Sequence, residues 1–318
     1  MLTSEIIRRV REIQVRTGRQ VADVLAGEYV SVFKGSGIEF EEVRPYVAGD
    51  DVRTIDWNVT ARAGAPFVKR YVEERQLTLM LMADVSASQD FGSGSRSKRE
   101  ATTEFCALLA FAAIRNDDKV GLVLFHGDVE QYIPPRKGQK HALRVVREVL
   151  AHGDALDSDY REKRTPWWTW LRRGRRLRGP RQTTRISRAL EFLLSVTKRK
   201  TVCFVVSDFL DDDFENALSM ANRRHDVVAV LVSDPREREI PKVGLISLTD
   251  AETGEIKLYD SAAPRFRERV AELSNARISN LEQRLRRRGI DFIHIDAAQD
   301  VVDPLVAFFR MREKRARR

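Results

Sequence analysis

The chain has 318 residues, enough to bury a large core as one big domain or two. An apolar fraction of 42% and a charged fraction of 32% describe a globular protein with a charge-rich surface, and no apolar run approaches the ~20 residues that span a bilayer. The net charge of +9 is local: residues 161–181 hold nine Lys/Arg against one Glu and the tail 310–318 six against one, leaving the rest acidic, so the chain is not a basic protein throughout.

The N-terminal MLTSEIIRRVREIQ is charged from residue 5 and carries no signal-peptide core, which predicts a cytoplasmic location. Cys106 lies in a helical pattern and Cys203 in an apolar strand, as buried, reduced thiols would. A helix is expected over 3–26, where Ser4 can cap and Ile6, Ile7, Val10, Ile13, Val21, Val24 and Leu25 recur at near-helical spacing. Short β-like pieces and Gly/Asp turns follow from Tyr29 to Val72. The first domain is drawn at 1–74 and the second at 75–318.

The second stretch alternates regularly. Strands are predicted over Gln76–Asp84, Lys119–Phe125 with an extension to Ile133, Thr201–Ser207, Asp226–Val232 and Ile290–Ile295. Helices are predicted over Lys98–Arg115, Lys140–Ala151, Ile186–Val196, Asp213–Arg224, Ala263–Arg288 and Asp303–Arg315, with a hairpin over Val243–Tyr259 turning at Glu252-Thr253-Gly254. Short β-branched runs between helices imply an α/β fold with a mainly parallel sheet and helices on both faces. Ligands in such sheets sit at the carboxyl ends of strands near a topological switch point.

Oxygen-bearing side chains gather at those ends. Asp84, Ser86 and Ser88 follow the strand LMLMA, Asp208 follows TVCFVVS, and Thr184 precedes a helix. A set without His or Cys suits a hard cation, Mg²⁺ or Mn²⁺, and two carboxylates can balance its charge. The alternative is that Asp84 and the serines merely cap the following turn and helix. DVSAS resembles the D-x-S-x-S metal-ion-dependent adhesion site of von Willebrand factor A domains, where a later Thr and a strand-end Asp complete the set. Thr184-Arg185-Ile186-Ser187-Arg188-Ala189-Leu190 is similar to the family's T-x-T-G-x-A-L segment, with Thr183 a competing ligand, and Ser207-Asp208-Phe209 to its T-D-G segment without the Gly. The resemblance implies a von Willebrand A-like, Rossmann-type domain whose ion accepts an acidic side chain from a partner.

Residues 35–74 carry the more specific likeness. G-x-G-x-E-F-x-x-x-R-x-Y followed by G-D-D-x-R-x-I-D-W-x-x-x-A-R resembles the bacterial family catalogued as domain of unknown function 58, in which the segment precedes a von Willebrand A-like domain. That likeness implies a MoxR-type AAA+ ATPase as partner. Here Asp50, Asp51 and Asp56 alternate with Arg44, Arg53 and Arg62 around Trp57, a set able to bury the indole and satisfy its rim with bidentate Arg–carboxylate contacts. A structural clasp is favoured over a docking surface or small-ligand pocket.

Between the predicted helix at 140–151 and Thr184 lies an insertion, 155–182, rich in Arg and Trp. Trp167, Trp168 and Trp170 beside Arg172 and Arg173 fit a contact with a partner protein or with an anionic membrane, in which case the protein is peripheral to the inner membrane. Nucleic acid is a poorer fit. No nucleophile elbow, P-loop or partnered His accompanies the oxygen cluster, so no catalysis is expected. A metal-dependent hydrolase built on the cluster and a nucleic-acid module built on 161–181 are the rivals.

Overall fold

A computed structural model of the chain describes residues 37–74, 76–94, 96–161, 184–211, 213–249 and 256–316. The expected helix at 3–26, Thr183, the turn at 252–254 and the Trp/Arg cluster of Trp167, Trp168, Trp170, Arg172 and Arg173 lie outside these residues. The described residues fall into two compact units, one ending at Leu77 and one starting at Thr78.

In the smaller unit, β1 (Gly37–Pro45) pairs antiparallel with β2 (Phe67–Glu74), with an irregularity between Phe40 and Glu42. The connection holds a 3₁₀ turn, Val52–Thr54, and the short helix α1 (Trp57–Ala63). Asp51 starts the turn by accepting from the Arg53 N–H, and Asp56 caps α1 by accepting from the Asn58 and Val59 N–H groups. Gly64 closes α1 at φ +71°, the left-handed position that glycine takes without steric cost.

The larger unit is built on a six-stranded sheet. Its strands are β3 (Thr78–Asp84), β4 (Lys119–Phe125), β5 (Val129–Arg136), β6 (Val202–Ser207), β7 (Asp226–Ser233) and β10 (Asp291–Asp296). The order across the sheet is β10-β7-β6-β3-β4-β5, all parallel except the β4–β5 pair. Counted among these six, that is the doubly wound order 3-2-1-4-5-6, and its switch point falls between β3 and β6. Pro134 and Pro135 sit in β5, an edge strand, where a missing N–H need not break the ladder.

Helices cover both faces, as the alternation predicts. They are α2 (Lys98–Arg115), α3 (Gln139–Arg161), α4 (Ile186–Val196), α5 (Glu215–Arg224), the one-turn α6 (Pro235–Arg238), α7 (Pro264–Arg287) and α8 (Val302–Ala316). On one face Met80, Met82, Cys203 and Val205 pack with Leu190 and Leu193 of α4, Leu218 of α5 and Leu281 and Leu285 of α7. On the other, Phe204 meets Phe105 of α2 and Phe308 of α8 edge-on, at 5.9 and 6.3 Å. The hairpin of β8 (Leu245–Thr249) and β9 (Ile256–Asp260) forms a separate two-stranded sheet.

Two elements depart from expectation. α3 continues ten residues beyond Ala151, into the start of the predicted insertion, because a single Gly153 costs a helix only about 1 kcal/mol. α6 was not anticipated, although Asp234-Pro235-Arg236-Glu237 spells its capping box and its N-terminal proline.

Candidate functional site

Parallel pairing sets β3 and β6 side by side, with Ala83 opposite Val206, so their polar ends emerge together at the switch point. Asp84, Ser86, Ser207 and Asp208 are each no more than 3% exposed, while Ser88 is half-buried. Asp84 uses both oxygens: Oδ1 accepts from the Ser86 N–H at 2.9 Å and Oδ2 from the Ser207 hydroxyl at 2.6 Å. Burial, and after it the charge of Asp208, pushes the Asp84 carboxyl up to about 6. Two carboxylates therefore share one dry edge of the sheet.

The Ser86 hydroxyl also bonds the Asp84 carboxylate, but it caps no helix. Ser86 stands at the N-cap of the 3₁₀ turn Ala87–Asp90 but makes no side-chain capping bond there. α2 is capped further on by Ser97, whose side chain accepts from the Glu100 N–H while Glu100 accepts from the Ser97 N–H. The capping alternative thus holds for Asp84, which accepts from the Ser86 N–H, and fails for Ser86. Ser86 Oγ and Ser88 Oγ lie 3.0 Å apart. That spacing suits a hydrogen bond, and equally the edge of an octahedron, about 3 Å for metal–oxygen distances of 2.0–2.1 Å.

Thr184 is 7% exposed and sits two residues ahead of Ile186, where α4 starts. Its neighbour Arg185 donates its N–H to the His126 carbonyl just past β4, and the Ile186 N–H goes to Asp211 Oδ2. Phe209, where the T-D-G pattern has glycine, adopts φ +51°. The left-handed turn is kept without the residue that favours it, and Phe209 is held there by packing 5.2 Å from Phe214.

Sequence reasoning missed Lys98. It starts α2, is 1% exposed, and places its ammonium 3.1 Å from Asp208 Oδ2 and 2.6 Å from Glu237 Oε1 of α6. Burial alone lowers a lysine pKa, yet Asp208 and Glu237 outweigh it and hold the ammonium above its ordinary value. A lysine at the head of a helix looks like surface in the sequence; only the fold buries that helix and brings two acids to Lys98. Asp208 is further fixed through its carbonyl, which accepts from the Arg277 guanidinium at 3.1 Å.

The loop between Ser88 and α2 is strapped to the neighbouring strand ends. Asp234 accepts from the Ser93 N–H at 2.8 Å and from its hydroxyl at 2.5 Å, and Arg96 Nε donates to the Ala297 carbonyl. Burial acts to raise the Asp234 pKa, but the Ser93 and Arg236 bonds and the Lys98 charge hold it low. Gly92 is required: a Cβ there would lie 2.6 Å from Ser97 Cα.

The donor types at this edge, hydroxyls and two carboxylates, are those that a hard cation prefers. Among the described residues no group of three or more His, Cys, Asp or Glu is placed to hold a metal, so an ion here would depend on hydroxyls besides the two carboxylates. His141, His225 and His294 bond to the Val120 carbonyl, Thr201 and Ser233, not to Ser86 or Ser88.

The family-specific segment is arranged differently from expectation. Trp57 is 70% exposed, because it opens α1 on the outer side rather than inserting under the acids. Arg44 does grip Asp50 bidentately, at 2.6 and 2.8 Å, and holds its carboxyl below the usual range. Asp51 and Asp56 are spent on backbone caps, with Lys69 at 3.4 Å from Asp56, while Arg53 and Arg62 are exposed. Among the described residues no rim of Arg–carboxylate pairs encloses the indole.

Among the described residues no helix is long and apolar enough to cross a membrane. The model of a protein family described as "Protein of unknown function DUF58" matches residues 42–280. An uncharacterized protein of Mycobacterium tuberculosis (strain ATCC 25618 / H37Rv) is 27% identical over 308 residues, spanning 96% of this chain and 90% of its own length. Among solved structures, the conserved hypothetical protein BatB from Bacteroides thetaiotaomicron is 16% identical with a TM-score of 0.41, covering 75% of this chain and 99% of its own. The SpRpn10 VWA domain is 11% identical with a TM-score of 0.36, covering 72% of this chain and 93% of its own.

Proposed function

We propose that this chain, which belongs to the DUF58 family and has a von Willebrand A-like α/β fold, is a non-catalytic protein-interaction module that depends on Mg²⁺ or Mn²⁺. Its role in this reading is that of an adaptor for a MoxR-type AAA+ ATPase. Ser86, Ser88 and Thr184 would hold the ion through their hydroxyls, and Asp84 and Asp208 would balance its charge from behind. The ion's contribution is a Lewis-acidic position open to a carboxylate of the partner. The residues of this chain orient that position and exclude water around it.

One observation carries the reading. Ser86 and Ser88 present paired hydroxyls 3.0 Å apart beside a buried carboxylate, and neither is needed to cap α2, which Ser97 and Glu100 close. The ATPase partnership rests on the family resemblance of residues 35–74 alone. Capture of partners on immobilised protein, with and without Mg²⁺, compares wild type with Ser86→Ala. Recovery of an AAA+ ATPase by wild type in Mg²⁺ only, and not by the variant, is expected; recovery that ignores both the metal and the substitution would overturn the reading.

A further inference from the structure

We propose that Lys98 is the resident counter-cation of the Asp84–Asp208 edge and sets how weakly that edge takes a divalent ion. The inference rests on the metal reading above and adds to it a residue that opposes the ion.

Lys98 is placed firmly. Its N–H donates to the Phe91 carbonyl at 3.0 Å, the loop behind it turns at Gly92, and Ser97 caps the helix it begins. The side chain is 1% exposed, and lysine is almost never buried to that degree unless paired. Its partners are Asp208 Oδ2 and Glu237 Oε1. An ammonium is a compact charge, so one of the two carboxylates that a divalent ion needs is already neutralised. An arriving ion meets a like charge within a few ångströms and competes with it for Asp208. Both effects act in one direction: Lys98 lowers affinity.

Glu237 divides the ammonium's attention. Removing that carboxylate leaves the positive charge wholly on Asp208, so the same account requires ion binding to weaken further. The two substitutions thus have opposite signs, which a simple loss of packing would not give.

The test is calorimetric titration of Mn²⁺ into the full chain. Lys98→Met should bind at least about tenfold more tightly than wild type, the scale expected of removing a unit charge at this range in a partly dry site. Glu237→Gln, whose side chain is 25% exposed and tolerates the change, should bind a few-fold more weakly, on the order expected for a partly screened charge. Should Lys98→Met fail to fold, the sign for Glu237→Gln decides. Binding by Lys98→Met but not by wild type also supports the role of Lys98. Wild-type binding with Lys98→Met equal or weaker, or Glu237→Gln unchanged or tighter, overturns this inference and leaves the metal reading standing. Absence of binding in wild type and both variants overturns the two together.

Discussion

Ser207 Oγ donates to Asp84 Oδ2 at 2.6 Å and so joins the ends of β6 and β3 across the switch point of the sheet. The bond partly compensates a carboxylate in a dry site, but burial and the charge of Asp208 still leave Asp84 titrating near 6 rather than at its ordinary 3.8. As pH rises between those values the unfolded chain ionises first, so stability falls across that window and the deficit persists above it. Two pH units at about 1.4 kcal/mol each amount to roughly 3 kcal/mol. Without divalent ions, Asp84→Asn should therefore be more stable than wild type by about 2–3 kcal/mol above pH 6, by the same linkage, and lose that advantage below about pH 4. Urea unfolding of both proteins across that range measures it.

Phe209 holds a left-handed backbone at φ +51° while its ring packs on Phe214. Either truncation forfeits the packing, about 3–5 kcal/mol. Glycine, however, removes the backbone strain that alanine keeps, so Phe209→Gly should be less destabilised than Phe209→Ala by about 1 kcal/mol. At most positions the order is the reverse, which makes the comparison of two denaturation midpoints decisive.

Asp234 straps the loop after Ser88 through the Ser93 N–H and hydroxyl and starts α6 through the Arg236 N–H. Asp234→Ala removes charge-assisted bonds worth about 1.5–3 kcal/mol each in a buried setting. Amide exchange over residues 91–97 should accelerate far more than exchange in the β6 or β7 core. Uniform acceleration throughout would mean that the strap has no local role.

Trp57 is 70% exposed at the start of α1, so little apolar contact is lost on its removal. Trp57→Ala should change the unfolding free energy by less than about 0.5 kcal/mol, as surface substitutions usually do. A cost of several kcal/mol would restore the clasp expected from the sequence.

Much of this was legible beforehand because burial leaves a period. The runs TLMLMAD, KVGLVLF, TVCFVVS and DVVAVLV mark strands buried on both faces, and their polar termini mark one edge of a sheet. Asp84 and the serines could be placed there without coordinates. Lys98, Glu237 and Asp234 could not be assigned their parts, since each pairs with residues more than a hundred positions away. Trp57 misled for the opposite reason: aspartates next to arginines in sequence suggest pairs, whereas Asp51 and Asp56 are drawn first to the nearby N–H groups of their own turn and helix. The left-handed turn at Phe209 is equally hidden, because a pattern that expects glycine says nothing of what a phenylalanine does in its place.

The account turns on the oxygen edge holding a hard divalent ion, and thermal unfolding in rising Mg²⁺ near neutral pH tests that most directly. Wild type should melt at progressively higher temperature, whereas Ser86→Ala and Asp84→Ala should not respond. A wild-type melting temperature indifferent to Mg²⁺ and Mn²⁺, or a rise shared equally by both variants, would contradict it.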